Sequence, residues 1–254
     1  MTAQRWKITI EYDGTDFCGW QRQENAFSVQ ECLEKAIQGF SGETVTLHVA
    51  GRTDAGVHAT GQVAHFDLAR PADAKTIRDA INFHARPHAV AVVRAEAVSA
   101  DFHARFSAKH RKYRYNILMN RGAPPVLLAR HVWHVWQNLD IGAMNAAAAH
   151  LLGEHDFSSF RAAECQAKSP VKSIDRLEFL VNSTHNGDGT LITLHAEARS
   201  FLHHQIRNIA GTLKMVGEGK LTPDDVKAIL NARDRTKAGM MAPASGLCFV
   251  GVDY

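Results

Sequence analysis

Residues 6–12, WKITIEY, set Trp6, Ile8, Ile10 and Tyr12 against Lys7, Thr9 and Glu11, and this period of two predicts a half-buried strand. Ser28 and Glu31 then make an S-x-x-E capping box ahead of Val29, Leu33, Ile37 and Phe40, whose spacings of four, four and three predict an amphipathic helix. TVTLHVAG (44–51) and GQVAHFDL (61–68) read as strands on either side of a charged, glycine-bearing loop, GRTDAGVHATG (51–61). A helix from about Asp73 to His84 and a strand over 89–98 complete the first half.

The second half repeats this vocabulary. KYRYNIL and HVWHVW read as strands, with Tyr113, Tyr115 and Ile117 on one face of the first. Asp140 starts a helix with Ile141, Met144, Ala148 and Leu151 on one side, and LEFLV and LITLHAEA flank the turn-rich NSTHNGDG as a hairpin. A helix with Ile206, Ile209, Ala210, Leu213 and Val216 on its apolar face ends near Gly217. Thr222-Pro223 opens a last short helix, and GLCFVGVDY closes the chain as a strand. The order predicts an α+β fold of two domains, residues 1–107 and 108–254, each a mainly antiparallel mixed sheet with helices packed on one face.

Composition narrows the class. No stretch approaches the roughly 18 uninterrupted apolar residues of a membrane span, so a membrane role is not expected. The N-terminus passes into the first strand without the basic head and apolar run of an export signal, and the four cysteines form no CxxC pair, so the expected location is the cytoplasm. The missing CxxC pair also argues against a zinc knuckle. A net charge of +3 allows a polyanionic partner without requiring one.

In GRTDAGVHATG, an Ala55-Gly56 turn projects Asp54 from a sheet edge, a placement that suits catalysis; the alternative is an aspartate that bonds its own turn backbone. Arg52 either pairs with Asp54, reaches a phosphate, or simply faces solvent. The loop resembles the catalytic motif of the TruA-type tRNA pseudouridine synthases. YDGTDFCGWQRQ (12–23), DFHARFSA (101–108), KYRY (112–115), GEHDFSSFRA (153–162), FLHHQIRNI (201–209) and the terminal GLCFVGVDY are similar to that family's blocks in the same order, so the resemblance spans essentially the whole chain.

The resemblance implies isomerisation of uridine to pseudouridine at positions 38, 39 and 40 of the tRNA anticodon stem-loop, without metal, nucleotide or redox cofactor. Asp54 is then the catalytic carboxylate, attacking C6 of the uracil or C1′ of the ribose, or removing the C2′ proton; the sequence does not choose among these. A cation must keep it ionised in a pocket that excludes water, and the resemblance assigns that role to Arg207. Tyr113 matches the tyrosine that stacks on the target base, with a role in proton transfer as an extension, and Arg52 the residue that fills the gap when the uridine leaves its stack. His203 and His204, read as neighbours on a helix, would diverge by about 100°, a geometry poorly suited to sharing a metal.

Phe102, His103, Ala104, Arg105 and Phe106, together with Glu164, Cys165, Gln166, Ala167 and Lys168, correspond to family stretches that contact tRNA. Lys112 and Arg114 join Lys109, His110 and Arg111 in a basic run with the composition of an RNA track. The resemblance further implies a homodimer and a catalytic and RNA-binding cleft between the domains. A non-catalytic RNA-binding module would account for the basic and aromatic residues but is indifferent to Asp54. A metal-dependent hydrolase, suggested by 15 histidines, lacks HExxH and clustered Cys/His spacings.

Overall fold

The alternation at the start of the chain is realised as β1 (Gln4–Tyr12), in which Trp6, Ile8, Ile10 and Tyr12 are all buried. The structure, a computed structural model, describes residues 3–24, 26–182 and 188–254. Its chain divides into one unit of residues 1–111 with 248–254 and a second of residues 112–247.

In the first unit, β1 leads to α1 (Val29–Ser41), whose N-terminus is capped by the buried Ser28 hydroxyl accepting from Glu31 N at 3.2 Å. Only this half of the expected capping box forms, because the Glu31 carboxylate pairs with Lys35 one turn on at 2.7 Å. Val29, Leu33 and Ile37 are fully buried as expected, whereas Phe40 stays half-exposed beneath the Arg70 guanidinium. The strand expected over 44–51 shrinks to β2 (His48–Val49), since Leu47 N donates to the buried Glu34 carboxylate instead of a ladder. β3 (His58–Leu68) lies antiparallel to β1 and to β2. After α2 (Ala74–His84), capped by Asp73, β4 (Val90–Val98) pairs antiparallel with the other edge of β1. The two helices pack on each other, and α2 packs on β4.

In the second unit, β5 (His110–Met119) buries Tyr113, Tyr115 and Ile117 and leaves Lys112, Arg114 and Asn116 half-buried, the alternation its sequence predicts. Of HVWHVW only Trp133–Val135 form a strand, β6, parallel to β5. α3 (Ile141–Ala149) follows its Asp140 cap. β7 (Gly153–Asp156), β8 (Val171–Val181) and β9 (Thr190–Ala198) complete a sheet in the order β5-β9-β8-β7. β8 and β9 are antiparallel, and most of the expected turn between them, 183–187, lies outside the described residues. The Asn145 side chain of α3 bonds both N and O of Phe179, fixing the helix to β8. α4 (Gln205–Gly217) and α5 (Pro223–Ala232) pack with α3, and α5 opens on a complete capping box between Thr222 and Asp225.

The closing strand β10 (Leu247–Asp253), expected in the second domain, groups from Cys248 onward with the first unit. It runs parallel to β3, with Cys248 opposite His58 and Phe249 opposite Ala59. Gly61 permits this approach, because a Cβ there would fall 2.2 Å from Val250 O. The chain is thus α+β, with sheets that are mainly antiparallel.

Because successive β3 residues face opposite sides, Val63 and His65 point away from Ala64 and Phe66. Val63 joins a small core with Ala50 and Ala104, on which Phe102, Val252 and Tyr254 pack. His65 is buried, stacks on His48 at 4.9 Å, meets His103 edge-on at 4.7 Å, and accepts from Ala104 N through Nδ1 at 3.1 Å. Burial, reinforced by the neighbouring His103 and His48, pushes its pKa down to about 4. Between pH 6.5 and about 4 the unfolded chain protonates this group while the folded chain does not, so its contribution is complete above pH 6.5 and is lost as pH falls toward 4. In urea titrations across this range, the unfolding midpoint should fall more for the wild type than for His65→Gln, which keeps an acceptor but cannot titrate. Parallel pH profiles would contradict this role for His65.

Candidate active site

Loop 52–57 connects β2 to β3 in the first unit, and its shape is set largely by residues 12–20. The Thr53 hydroxyl is 2.8 Å from the Tyr12 hydroxyl, and Thr53 O accepts from Trp20 N at 3.0 Å. Gly14 N donates to the buried His58 ring Nδ1 at 3.1 Å. Two glycines make this docking possible. A Cβ on Gly14 would sit 2.0 Å from Val57 O, and one on Gly19 would sit 2.7 Å from Thr53 O, where Gly19 also has a φ of +85°.

Asp54 is half-exposed on this platform and Arg52 is exposed. The turn at Ala55-Gly56 closes through Val57 N to Asp54 O at 3.2 Å, with Gly56 at a φ of +76°. Gly56 N donates to Phe17 O at 3.4 Å, a further bond from the turn to residues 12–20. The Asp54 carboxylate thus stands on a loop whose flanking residues are fixed from below.

Tyr12 and Gln62 form the rest of the support. Gln62 Nε2 donates to Gly51 O at 2.8 Å and reaches the Tyr12 hydroxyl at 3.4 Å. Burial pushes the Tyr12 phenol well above its ordinary range, so it remains a protonated hydroxyl. Arg111, grouped in the sequence with an RNA track, instead bonds Ala50 O through Nε and Nη2 and Arg105 O through Nη2. It ties the strand before the loop to the FHARF segment.

Within that segment the side chains divide sharply. Arg105 and Phe106 are exposed, Phe106 by 77%, whereas Ala104 is fully buried and Phe102 and His103 are half-buried. Phe102 packs on Tyr254 at 4.8 Å, and the His103 ring accepts from Arg105 N and Phe106 N. Phe102, His103 and Ala104 therefore anchor the segment, and Arg105 and Phe106 are the side chains it presents to solvent.

In the second unit, Tyr113 meets the ring of Phe201 edge-on at 5.4 Å. Arg207 lies on α4 and is only 9% exposed; its Nε donates to Ala242 O at 2.8 Å and Ala242 N returns a bond to Arg207 O at 3.1 Å. α4 is buried nearly all round rather than along one face, with Gln205, Asn208 and Thr212 enclosed as well. An arginine this buried is not a solvated helix charge. His203 and His204 precede the helix instead of lying on it. His204 caps it at a φ of +61°, and the two rings lie 3.8 Å apart. The rings therefore lie against each other, tilted by 36°, where a helix would have spread them.

Ala162 N donates to His203 O, which brings segment 161–168 beside the start of α4. There Cys165 is buried and Ala167 half-buried, while Glu164, Gln166 and Lys168 are exposed. Lys112 is half-buried, as is Arg114, whose buried Nε finds no acceptor among the described residues. Glu34 was not singled out by the sequence. It is buried and binds Arg22, Gln30 Nε2 and Leu47 N, which joins α1 to the strand entering the loop.

The sequence profile described as tRNA pseudouridine synthase matches residues 8–107 and 147–254. The chain belongs to the tRNA pseudouridine synthase family, isomerases that convert uridine to pseudouridine. It is 58% identical to the tRNA pseudouridine synthase A of Paramagnetospirillum magneticum over 98% of this chain and 95% of that protein. It is 57% identical to the tRNA pseudouridine synthase A of Rhodospirillum centenum over 99% of this chain and 100% of that one. A crystal structure of an unknown protein from Galdieria sulphuraria aligns at 14% identity over 86% of this chain and 94% of that one, with a TM-score of 0.21.

Removing the Tyr12 hydroxyl takes away a partner of Thr53 and leaves the packed ring. Tyr12→Phe should lower stability by about 1 kcal/mol and lower kcat by about tenfold through a displaced Asp54, with KM for tRNA within about twofold. Equal changes in kcat and KM, or no change in either, would contradict a positioning role.

Proposed function

We propose that the protein isomerises uridine to pseudouridine at positions 38, 39 and 40 of the tRNA anticodon stem-loop, with Asp54 as the catalytic carboxylate. The observation that carries this reading is the braced Asp54 loop, tied to residues 12–20 through Thr53, Gly56 and His58. Detaching uracil, turning it and joining C5 to the ribose C1′ leaves the redox state unchanged. The base loses its C5 proton and gains one on the N1 freed from the ribose, so one ionised carboxylate and a route for the proton between these atoms or to and from solvent suffice. Arg207 is the cation assigned to hold Asp54 charged, which suits its burial. Tyr113 stacks on the target uracil, a contact worth roughly 1–3 kcal/mol per base. Arg52 fills the gap left in the RNA stack.

For the RNA path we propose Arg105 and Phe106 from the first unit and Lys112, Arg114, Glu164, Gln166 and Lys168 from the second, with Phe102, His103, Ala104, Cys165 and Ala167 shaping the segments that carry them. The working form is a homodimer in the cytoplasm. Among the described residues the four cysteines form no disulfide, which suits a reducing compartment, and no helix of the described residues is long and apolar enough to cross a membrane. Val126 and Leu127, 85% and 89% exposed, are apolar surface for a second copy to cover.

Wild-type protein incubated with tRNA carrying 5-tritiated uridine at these positions should release tritium. Asp54→Asn should slow that release by at least about 1,000-fold while tRNA affinity stays within a few-fold. Release that survives the substitution would remove Asp54 from the chemistry, and no wild-type release would remove the substrate assignment. Sedimentation equilibrium should give twice the 28.0 kDa chain mass; a single-chain mass at micromolar concentration would exclude the homodimer.

A further inference from the structure

A cavity of about 350 Å³ in the second unit is lined by Ser158, Arg161, Ala162, Ala163, Arg233, Asp234 and Arg235. Three arginines face one aspartate there. We propose that this cavity binds a backbone phosphate of the tRNA, at a place separate from the Asp54 loop.

The two acidic groups nearby are already engaged. Asp234 Oδ1 accepts from Thr236 N and Oγ1 at 2.9 and 2.8 Å, and Asp156 Oδ1 accepts from Ser158 N and Oγ at 2.9 and 2.6 Å. These bonds hold both carboxyls below the usual carboxylate range, so they remain anions that balance part of the arginine charge without leaving the cavity acidic. The Ser159 hydroxyl fixes the cavity's two walls to each other, accepting from Asp234 N at 2.9 Å and donating to Ile229 O at 2.5 Å.

A guanidinium has five N–H donors, and two of these arginines leave several unused. Arg161 uses Nη2, on Cys165 O and Ala167 O, which leaves Nε and Nη1 without acceptors among the described residues. Arg233 pairs with Asp156, 3.5 Å from its Nε, and its side chain is 68% exposed. Arg235 is the fixed member, bonded to Ala238 O, Gly239 O and the Asn208 side chain. Planar N–H pairs of this kind match the oxygens of a phosphodiester.

The backbone adds an independent observation. Arg233 ends α5 in the left-handed region, at φ +52° and ψ 30°, where glycine is the usual residue. That conformation is held with an arginine whose head lines the cavity. Arg161 lies three residues before the 164–168 segment assigned to the RNA path and bonds its Cys165 O and Ala167 O, and Asn208 adjoins Arg207, so a phosphate seated here would lie against the scaffold that carries both. The proposal rests on tRNA being the substrate, and tritium release in the same samples tests that separately.

The experiment measures dissociation constants for tRNA against salt concentration, with single-turnover rates at saturating enzyme. Arg233→Gln should weaken binding about three- to tenfold and flatten the salt slope by about one, with a single-turnover rate within twofold of wild type. Arg161→Gln should do the same where it folds, and Arg176→Gln, paired with Glu178 and Glu197 on β8 and β9, should change neither. An unchanged slope in Arg233→Gln would leave that residue as a cap for α5 and overturn the proposal. So would stabilisation by millimolar inorganic phosphate at constant ionic strength that Arg233→Gln abolishes while the tRNA slope stays the same, since the cavity would then serve a free anion.

Discussion

The close backbone approach of residues 13–20 to loop 52–57 governs the geometry of the Asp54 loop in the first unit. It is a contact of main chain on main chain, in which Gly14 lies against Val57 and Gly19 against Thr53. Side chains alone would leave a charged six-residue loop free to move. Here Trp20 N, Gly14 N and the Tyr12 hydroxyl fix Thr53 and His58 on both sides of Asp54. The entropy of ordering the loop, of order 1–2 kcal/mol per residue, is offset by burial of Phe17, Trp20 and Val57 and by these bonds. A carboxylate positioned this way needs little rearrangement before reaction, which is how a single group can carry a large share of a rate enhancement.

The second unit solves a different problem, that of keeping an arginine inside a protein. α4 is enclosed, and three of its buried polar residues find support at specific places: Asn208 on Phe160 O and Arg235, Thr212 on Asn208 O and Gly239 N, Arg207 on Ala242 O. Segment 239–242 runs so close to the helix that Gly211 has Met240 O 1.7 Å from where a Cβ would stand. Burial strips water from the guanidinium and strengthens any field it exerts on a neighbouring anion. The same scaffold holds Arg235 in the wall of the arginine cavity, so Arg207 and Arg235 depend on one packed helix.

Local rules made much of this legible in the sequence. The alternation in β1 and β5, the Asp140 cap of α3 and the Thr222-Pro223 start of α5 are properties of a few neighbouring residues, and each appears where its pattern places it. What could not be read depends on partners distant in the chain. Glu34 is buried because Arg22 and Leu47 meet it, and nothing in its helix announces that. Arg111 sits in a run of basic residues yet serves the Ala50 carbonyl 61 residues away. β10 joins the first unit through a parallel pairing with β3, a long-range contact no local period encodes. His203 and His204 fell just outside the helix assigned to them, and at a helix start one residue decides whether two rings diverge or meet. For the site, the sequence resemblance supplied the roles, and the structure contributed the bracing of Asp54 and the burial of Arg207.

Gly19→Ala tests the central claim most directly, because it disturbs the platform beneath Asp54 without touching a charge or a base contact. The measurement is the single-turnover rate of tritium release at saturating enzyme, alongside tRNA affinity, on protein whose circular dichroism matches wild type. A displaced Asp54 predicts a rate about 100-fold lower with tRNA affinity within threefold. A folded Gly19→Ala protein that keeps its full rate would show that Asp54 does not depend on the docking of residues 13–20.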